Sequence, residues 1–442
     1  MKRERKSLVQ LFVPISLELL CFMLAGMVDN IMLSAVNSDA VGAVGTANTY
    51  IGMFIIMFSV ITSGMTAVMT QYIGAGREAV AYRARQIGLM FNLTLGVILS
   101  AVLFFGAEMI LDTMGIAPLL KDYAKDYLQI VGGACILNAA IPIFSNYLRA
   151  FGHTKYPMVA TITANIVNLV LNAFFLFVME WGVAGVALAT VISRVTNLII
   201  VVIASKKLVH IENAEDDVTR REILGQIIKI GLPSAMESVI YNVAMTFIIS
   251  FLNQMDAEGL NVTARSYAAQ IINFAYCISA GMASANAILT GWRIGAKDYD
   301  ACDKGTRKAA VIGVIAGAGS ATLFYLFAEP LMGLFTNDPV MIQLVKQLLF
   351  VDIFLEIGRA TNLVYIQALK TSGDALFTTM MGAIFMLLCA AGGTYFFGIH
   401  LGMMAVGAYI GMATDECARA VCMILRWKTG KWKTMKLISE EV

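Results

Sequence analysis

SLVQLFVPISLELLCFMLAGMVDNIMLS, residues 7–34, decides the fold. At 1.5 Å of rise per residue, roughly 20 apolar residues cross a bilayer core, so this stretch spans one with Glu18 and Asp29 inside it. A carboxylate at that depth faces protein or water rather than lipid. Eleven residues separate the two acids. At about 100° each, that is roughly 20° past three full turns, which sets both on one helical face about 16 Å apart.

The same opening returns in IGLPSAMESVIYN, residues 230–242, where Glu237 follows Pro233 by four residues as Glu18 follows Pro14. Further pairs keep an offset of about 220: Ile73 and Gly74 of QYIGAG with Ile294 and Gly295 of WRIGAK, and LRAFGHT from Leu148 with LKTSGDA from Leu369. The chain is therefore two copies of one unit. Asp29 has no second copy, because the matching positions hold Ile248, Ile249 and Ser250. The fold is expected to repeat and the ion chemistry is not.

Composition agrees with a membrane protein. The chain is 59% hydrophobic and 14% charged, whereas soluble domains are nearer half apolar and a quarter charged. Apolar runs of membrane length lie near 8–34, 45–73, 86–111, 124–150, 157–179 and 182–205, and again near 229–252, 263–291, 308–334, 343–369, 376–398 and 401–425. The expected fold class is an all-α polytopic membrane protein of about twelve transmembrane helices in two pseudo-symmetric six-helix lobes. The expected division is an N-terminal lobe at 1–206, a linker at 207–228, a C-terminal lobe at 229–426 and a tail at 427–442. The first run is too long for a cleavable signal and is expected to stay as the first span.

Lys and Arg set the orientation. They fall before the first helix (Lys2, Arg3, Arg5, Lys6) and after the even-numbered spans, as at Arg77, Arg149, Lys206, Arg293, Lys370 and Arg426. The opposite loops hold mainly acids, with Lys121 and Lys125 the exceptions. Both termini and the linker are expected to be cytoplasmic, in a plasma or inner membrane. Trp181, Trp292, Trp427 and Trp432 fall at expected span ends, where amphipathic rings prefer to sit. Thr219 and Glu222 form a capping-box pattern that predicts a short amphipathic helix leading into the seventh span. The seven cysteines form no CxxC pair and read as packing residues.

The chemistry to be excluded is broad. There is no GxxxxGK[ST], no HExxH, and the three histidines are scattered. The chain is not expected to be an enzyme, to hold a cofactor or metal, or to bind nucleic acid. Polar groups inside the spans remain. Asp29 is either a structural hydrogen-bonded acid or a site for H+ or Na+, with Asn168, Asn172 and Thr190 as neighbours or as interhelical glue. Glu18 and Glu237 either support the proline-distorted helix starts or meet a cationic cargo. Glu356, Arg359 and Asn362 share a side of the tenth span, either as an internal ion pair or as part of a cleft. Asp415 and Glu416 stand within helical reach of Arg419 and read as mutual neutralisation.

MVDNIMLS around Asp29, GLP at 231–233, QYIGAG with WRIGAK, and LRAFGHT with LKTSGDA together resemble the multidrug and toxic compound extrusion (MATE) family. The resemblance covers almost the whole chain. It implies two six-helix lobes around a central cleft, and antiport in which inward H+ or Na+ flow drives export of small amphipathic organic cations by a monomer embedded in membrane lipids. Asp29 matches the family's first-helix aspartate, Asn168, Asn172 and Thr190 its N-lobe polar positions, and Glu237 its seventh-helix acid. Two positions depart from the pattern: Asn172 stands where members with a fuller ion site have aspartate, and Arg359 where some keep a tenth-helix aspartate. A flippase for a lipid-linked envelope precursor is the alternative. Its phosphates favour several cleft cations, whereas Glu18 and Glu237 dominate here.

Overall fold

The computed structural model describes residues 6–34, 38–113, 115–211, 218–256, 258–333, 335–435 and 437. Lys2, Arg3, Arg5, Lys436 and the acidic centre of the linker at 212–217 lie outside them. The first half runs α1 (Leu8–Ser34), α2 (Ser38–Gly74), α3 (Glu78–Phe105), short α4 (Ala107–Thr113), α5 (Pro118–Tyr127), a wide π-type turn at Leu128–Gly132, α6 (Cys135–Ala150), α7 (Lys155–Phe177) and α8 (Gly182–Leu208). The second runs α9 (Arg220–Met255), α10 (Leu260–Gly295), α11 (Tyr299–Leu326), short α12 (Ala328–Met332), α13 (Pro339–Ser372), α14 (Ala375–Phe385) extended by π-type turns to His400, and α15 (Met404–Lys428).

Among the described residues nine helices are each long and apolar enough to cross a membrane, and α5 with α6, bent by 43°, makes a tenth. α13 and α15 complete twelve passes. They are less uniformly apolar than the others, because Asp352, Glu356 and Arg359 interrupt one, and Asp415, Glu416 and Arg419 the other. Glu356 pairs with Arg359, and Asp415 and Glu416 with Arg419, while Asp352 is itself buried in protein. Outward positions such as Phe22, Phe105 and Leu388 are instead large, apolar and exposed, as a lipid-facing surface requires.

The repeated motifs are repeated turns. Gly76 and Lys297, 221 residues apart, both take left-handed backbone, as do Gly152 and Gly373 at the same spacing. Lys297 pays the usual strain of a side chain at positive φ. The two lysines that broke the charge rule are also explained by the repeat. Lys125 pairs with Glu108 at 2.8 Å, Lys121 with Asp112 at 2.6 Å, and the equivalent Lys346 with Glu329 at 2.6 Å. The hydrogen-bonded ammonium of Lys125 holds the Glu108 carboxyl below its usual range, and Lys346 does the same to Glu329.

Two compact units result: Leu17–Gly231 is one, and Ser7–Ser16 with the chain from Leu232 onward is the other. In the first, apolar side chains of α2, α3 and α8 and of the π-type turn, among them Ala43, Ala47, Leu103, Leu128 and Val186, form the core. The first turns of α9 belong to this unit and lie on α2 so closely that a Cβ on Gly64 would overlap the Ile227 carbonyl and one on Gly231 the Val60 carbonyl. In the second, Ile248, Ala268, Val345, Leu349 and Tyr409 are core residues. There the first turns of α1 approach α10, with Ser16 against Gly281. Gly231→Leu is expected to force α9 off α2 at a cost of about 1–3 kcal/mol, read as a lowered unfolding midpoint of the purified protein. An unchanged midpoint would show that this approach can relax.

Two local expectations need correction. The capping box forms, with Thr219 N–H donating to Glu222 at 2.9 Å and Glu222 N–H to the Thr219 hydroxyl at 3.3 Å, but the helix it starts is no separate element. It runs unbroken through Pro233 to Met255. Trp427 and Trp432, at the end of α15 as expected, are turned into protein rather than outward. They stack at 4.2 Å, almost fully buried, and the two indole N–H groups donate to Asp303 and the Trp427 carbonyl.

Candidate functional site

In the first unit α1 runs alongside a polar stripe on α7. Thr161, Asn165, Asn168 and Asn172 recur at helical spacing on that helix. The Thr161 hydroxyl donates to Glu18 at 3.5 Å, the Asn165 amide to the Cys21 carbonyl at 2.8 Å, and the Asn172 amide to Asp29 at 2.7 Å. The span of eleven residues from Glu18 to Asp29 is thus matched by the eleven from Thr161 to Asn172. Both acids face protein, as the apolar surroundings of α1 demand. Thr161 and Asn165 carry the same spacing signal as Asn168 and Asn172, and a count of polar positions along α7 finds them.

Asp29, Asn172 and Asn168 form one hydrogen-bonded chain, since the Asn172 amide also donates to the Asn168 carbonyl oxygen at 3.2 Å. Thr190 is not bonded to Asp29; its hydroxyl donates back to the Val186 carbonyl at 2.9 Å. Tyr127 hydrogen-bonds with Asn48 and Thr190 and feels the charge of Arg194, placed there where α5 gives way to the π-type turn. Such wide turns inside helices occur frequently at functional positions. Tyr127 and Arg194 carry no motif and were legible only as a tyrosine and an arginine inside apolar runs.

Glu18 and Glu237 each have a cation at hand. Arg149 reaches Glu18 at 2.7 Å and Lys370 reaches Glu237 at 2.9 Å. Both bases belong to the doubled LRAFGHT and LKTSGDA motifs, where their charge first reads as a marker of membrane side. The pairing is the same in each unit, so the carboxylates that seemed open to a cationic cargo stand largely neutralised within their own units.

The second unit holds a buried charge network. Glu356, fully buried, accepts from the Ser279 hydroxyl at 3.0 Å and pairs with Arg359. Gly317 makes room for this pair, since a Cβ there would lie 2.7 Å from the Ser279 hydroxyl and 3.3 Å from Glu356. Arg359 also reaches Glu416 at 3.8 Å, and Asn362 donates to Glu416 at 2.8 Å. Arg419 joins Glu416 at 3.0 Å and Asp415 at 2.6 Å. Asp352, one turn before Glu356 and 1% exposed, has a carboxylate oxygen with no hydrogen-bond partner among the described residues. Its position four residues ahead of Glu356 and seven ahead of Arg359 is a sequence signal that the motif reading passes over. Four carboxyl groups therefore share two guanidinium groups in this network, an excess that protons or a cationic ligand would balance.

Twelve passes, an internal repeat and ionisable groups inside the helical bundles define a multi-pass membrane transporter. The chain belongs to the MatE family, whose model matches residues 14–174 and 233–396. It is 34% identical over 432 residues to the uncharacterized transporter YisQ of Bacillus subtilis, covering 96% of this chain and 94% of that protein. It is 24% identical to the probable multidrug resistance protein NorM of Thermotoga maritima, over 99% of this chain and 95% of the relative. Its fold is similar to the outward-facing conformation of a multidrug resistance MATE family transporter of the MOP superfamily, with a TM-score of 0.88 at 22% identity over 97% and 96% of the two chains.

Proposed function

We propose that the chain is an ion-coupled antiporter that exports amphipathic organic compounds, organic cations foremost, by alternating access, with inward H+ or Na+ flow as the driving force. The observation that carries this reading is Asp29, a carboxyl group within an apolar span, hydrogen-bonded to the neutral amide of Asn172. Such a group changes charge by taking up or losing a cation. Asn168 supports the site through Asn172, and Thr190 is proposed as a further polar neighbour on α8. The carboxyl excess around Glu356, Arg359 and Asn362 supports a preference for cationic cargo, and the multidrug resistance names of the relatives support drug export. The division proposed is two six-helix lobes, 1–206 and 229–426, joined by 207–228 and followed by a tail at 427–442. The Lys and Arg distribution supports cytoplasmic termini and residence of a monomer in the cell membrane.

The test is transport of a panel of amphipathic dyes carrying +1, 0 and −1 charge by reconstituted protein under imposed pH and Na+ gradients. Gradient-driven movement is expected, several-fold faster for the cations. No response to either gradient would overturn ion coupling, and equal rates for all three charges would overturn the cation preference.

A further inference from the structure

At one membrane end of the second unit, two helices far apart in sequence meet. The Trp427 indole N–H on α15 donates to the Asp303 carboxylate on α11 at 2.8 Å. α11 is the ninth pass and α15 the twelfth, so they run antiparallel, one starting and the other finishing here. A step of one residue turns a helical side chain by about 100°, and in antiparallel neighbours the two turns fall to the same side. Lys304 and Lys428, the residues after Asp303 and Trp427, therefore project on one side of the contact, and both are exposed. Lys308, also exposed, joins them one turn along α11.

The same two faces change character away from this end. Val311 and Ile315, seven and eleven residues beyond Lys304, and Val421, seven before Lys428, are large, apolar and exposed. Those spacings are close to whole numbers of turns, so each face runs from cations into an apolar stripe. The chain after α15 adds charge at fixed positions. Trp432 is buried, stacked on Trp427 and 5.8 Å from the Tyr299 ring, which holds the exposed Lys431 and Lys433 to either side of it. Residues 299–308 and 427–433 thus carry six basic side chains, the five lysines and Arg307, against two acids. Asp303 is taken by Arg307 and Trp427, and Asp300 is exposed in the first turn of α11. The positive-inside tendency accounts for the sign of these residues. It does not account for their convergence from two helices beside one apolar face.

We propose that this face of α11 and α15 binds an anionic phospholipid, with the ammonium groups of Lys304, Lys308 and Lys428 holding its headgroup and the apolar stripe its acyl chains. Charge complementarity selects the ligand. Basic side chains next to a lipid-facing surface attract anionic headgroups, whereas a zwitterionic headgroup brings a cation of its own against the lysines. A soluble phosphate gains nothing from Val311, Ile315 and Val421. Lipid held by both helices ties the end of α15 to the start of α11, so its binding stabilises the second unit. The inference is independent of which carboxyl group couples transport to an ion.

The experiment uses full-length protein purified in a neutral detergent, with dioleoylphosphatidylglycerol or dioleoylphosphatidylcholine added to the micelles. Retained lipid is counted by native mass spectrometry, and the unfolding midpoint is read alongside. Phosphatidylglycerol should be retained and should raise the midpoint, phosphatidylcholine should do neither, and about 0.5 M NaCl should weaken the retention. Combining Lys304→Gln, Lys308→Gln and Lys428→Gln should weaken phosphatidylglycerol binding about tenfold or more. Combining Arg220→Gln, Arg221→Gln and Lys229→Gln removes the same exposed charge from α9 and should leave binding within about twofold of wild type. Equal losses in the two triple variants would overturn the site and leave a general surface attraction. Equal retention of the two lipids by wild type would overturn it as well. So would displacement of the lipid by an equal concentration of glycerol 3-phosphate, since the ligand would then be a soluble anion. The lipid comparison, the salt series and the displacement use wild type alone, so they decide the matter even where a variant fails to fold.

Discussion

Asp29→Asn is expected to insert and fold as wild type does while gradient-driven export falls to the background of empty vesicles. The substitution keeps the shape of the side chain and leaves an oxygen to accept from the Asn172 amide, the 2.7 Å bond that fixes α1 to α7 at this depth. What it removes is the capacity to change charge. A carboxyl group inside an apolar span is retained against a substantial cost, and Asp29 has no counterpart in the second half of the chain. Its loss therefore has no substitute. Glu237→Gln differs, because Glu237 is paired with Lys370 at 2.9 Å. That change is expected to alter cargo affinity several-fold while coupling persists. Thermal unfolding and membrane yield establish folding, and dye flux establishes transport.

The second large effect is on stability. Arg359→Met leaves Glu356, fully buried, without its counter-ion. Removing one member of a buried ion pair costs about 3–5 kcal/mol, whereas removing both is often nearly neutral. Arg359→Met should thus lower the unfolding midpoint sharply, and Arg359→Met with Glu356→Gln should restore more than half of the loss. The network has a second layer, since Arg359 also reaches Glu416, which Arg419 and Asn362 hold in turn. Full additivity of the two single changes would show that the pair does not act as a unit.

Much of this was open to a reading of residues alone. The apolar runs locate all twelve passes because an uninterrupted apolar run of this length satisfies its backbone in a bilayer as a helix. The doubled motifs mark the repeat because they form left-handed turns, at Gly76 and Lys297 and at Gly152 and Gly373. The pairing of Glu356 with Arg359 followed from their spacing. What stayed hidden depends on contacts between distant segments. The 43° bend between α5 and α6 lies where Gly132 and Gly133 come so close to α3 that a Cβ on them would crowd Leu103 and Phe104. Arg149 and Lys370 looked like markers of membrane side until the fold set them against Glu18 and Glu237. Arg194 and Asp352 lie in runs whose average hydropathy conceals single charges, and only the structure shows that neither is exposed to solvent as an ordinary surface charge would be. Trp427 and Trp432 sit at a helix end as interfacial rings do, yet their stacking is set by the chain turning back after α15.

Ion movement on cargo addition tests the central claim most directly. Wild-type protein is reconstituted in tightly sealed vesicles with no gradient imposed, an amphipathic cation is added on one side, and H+ and Na+ are followed by trapped indicators. Cargo entry should drive stoichiometric counter-movement of an ion in wild type and none in Asp29→Asn. Undiminished counter-movement with Asp29→Asn would contradict the account and shift the coupling site to the carboxyl groups of the second unit.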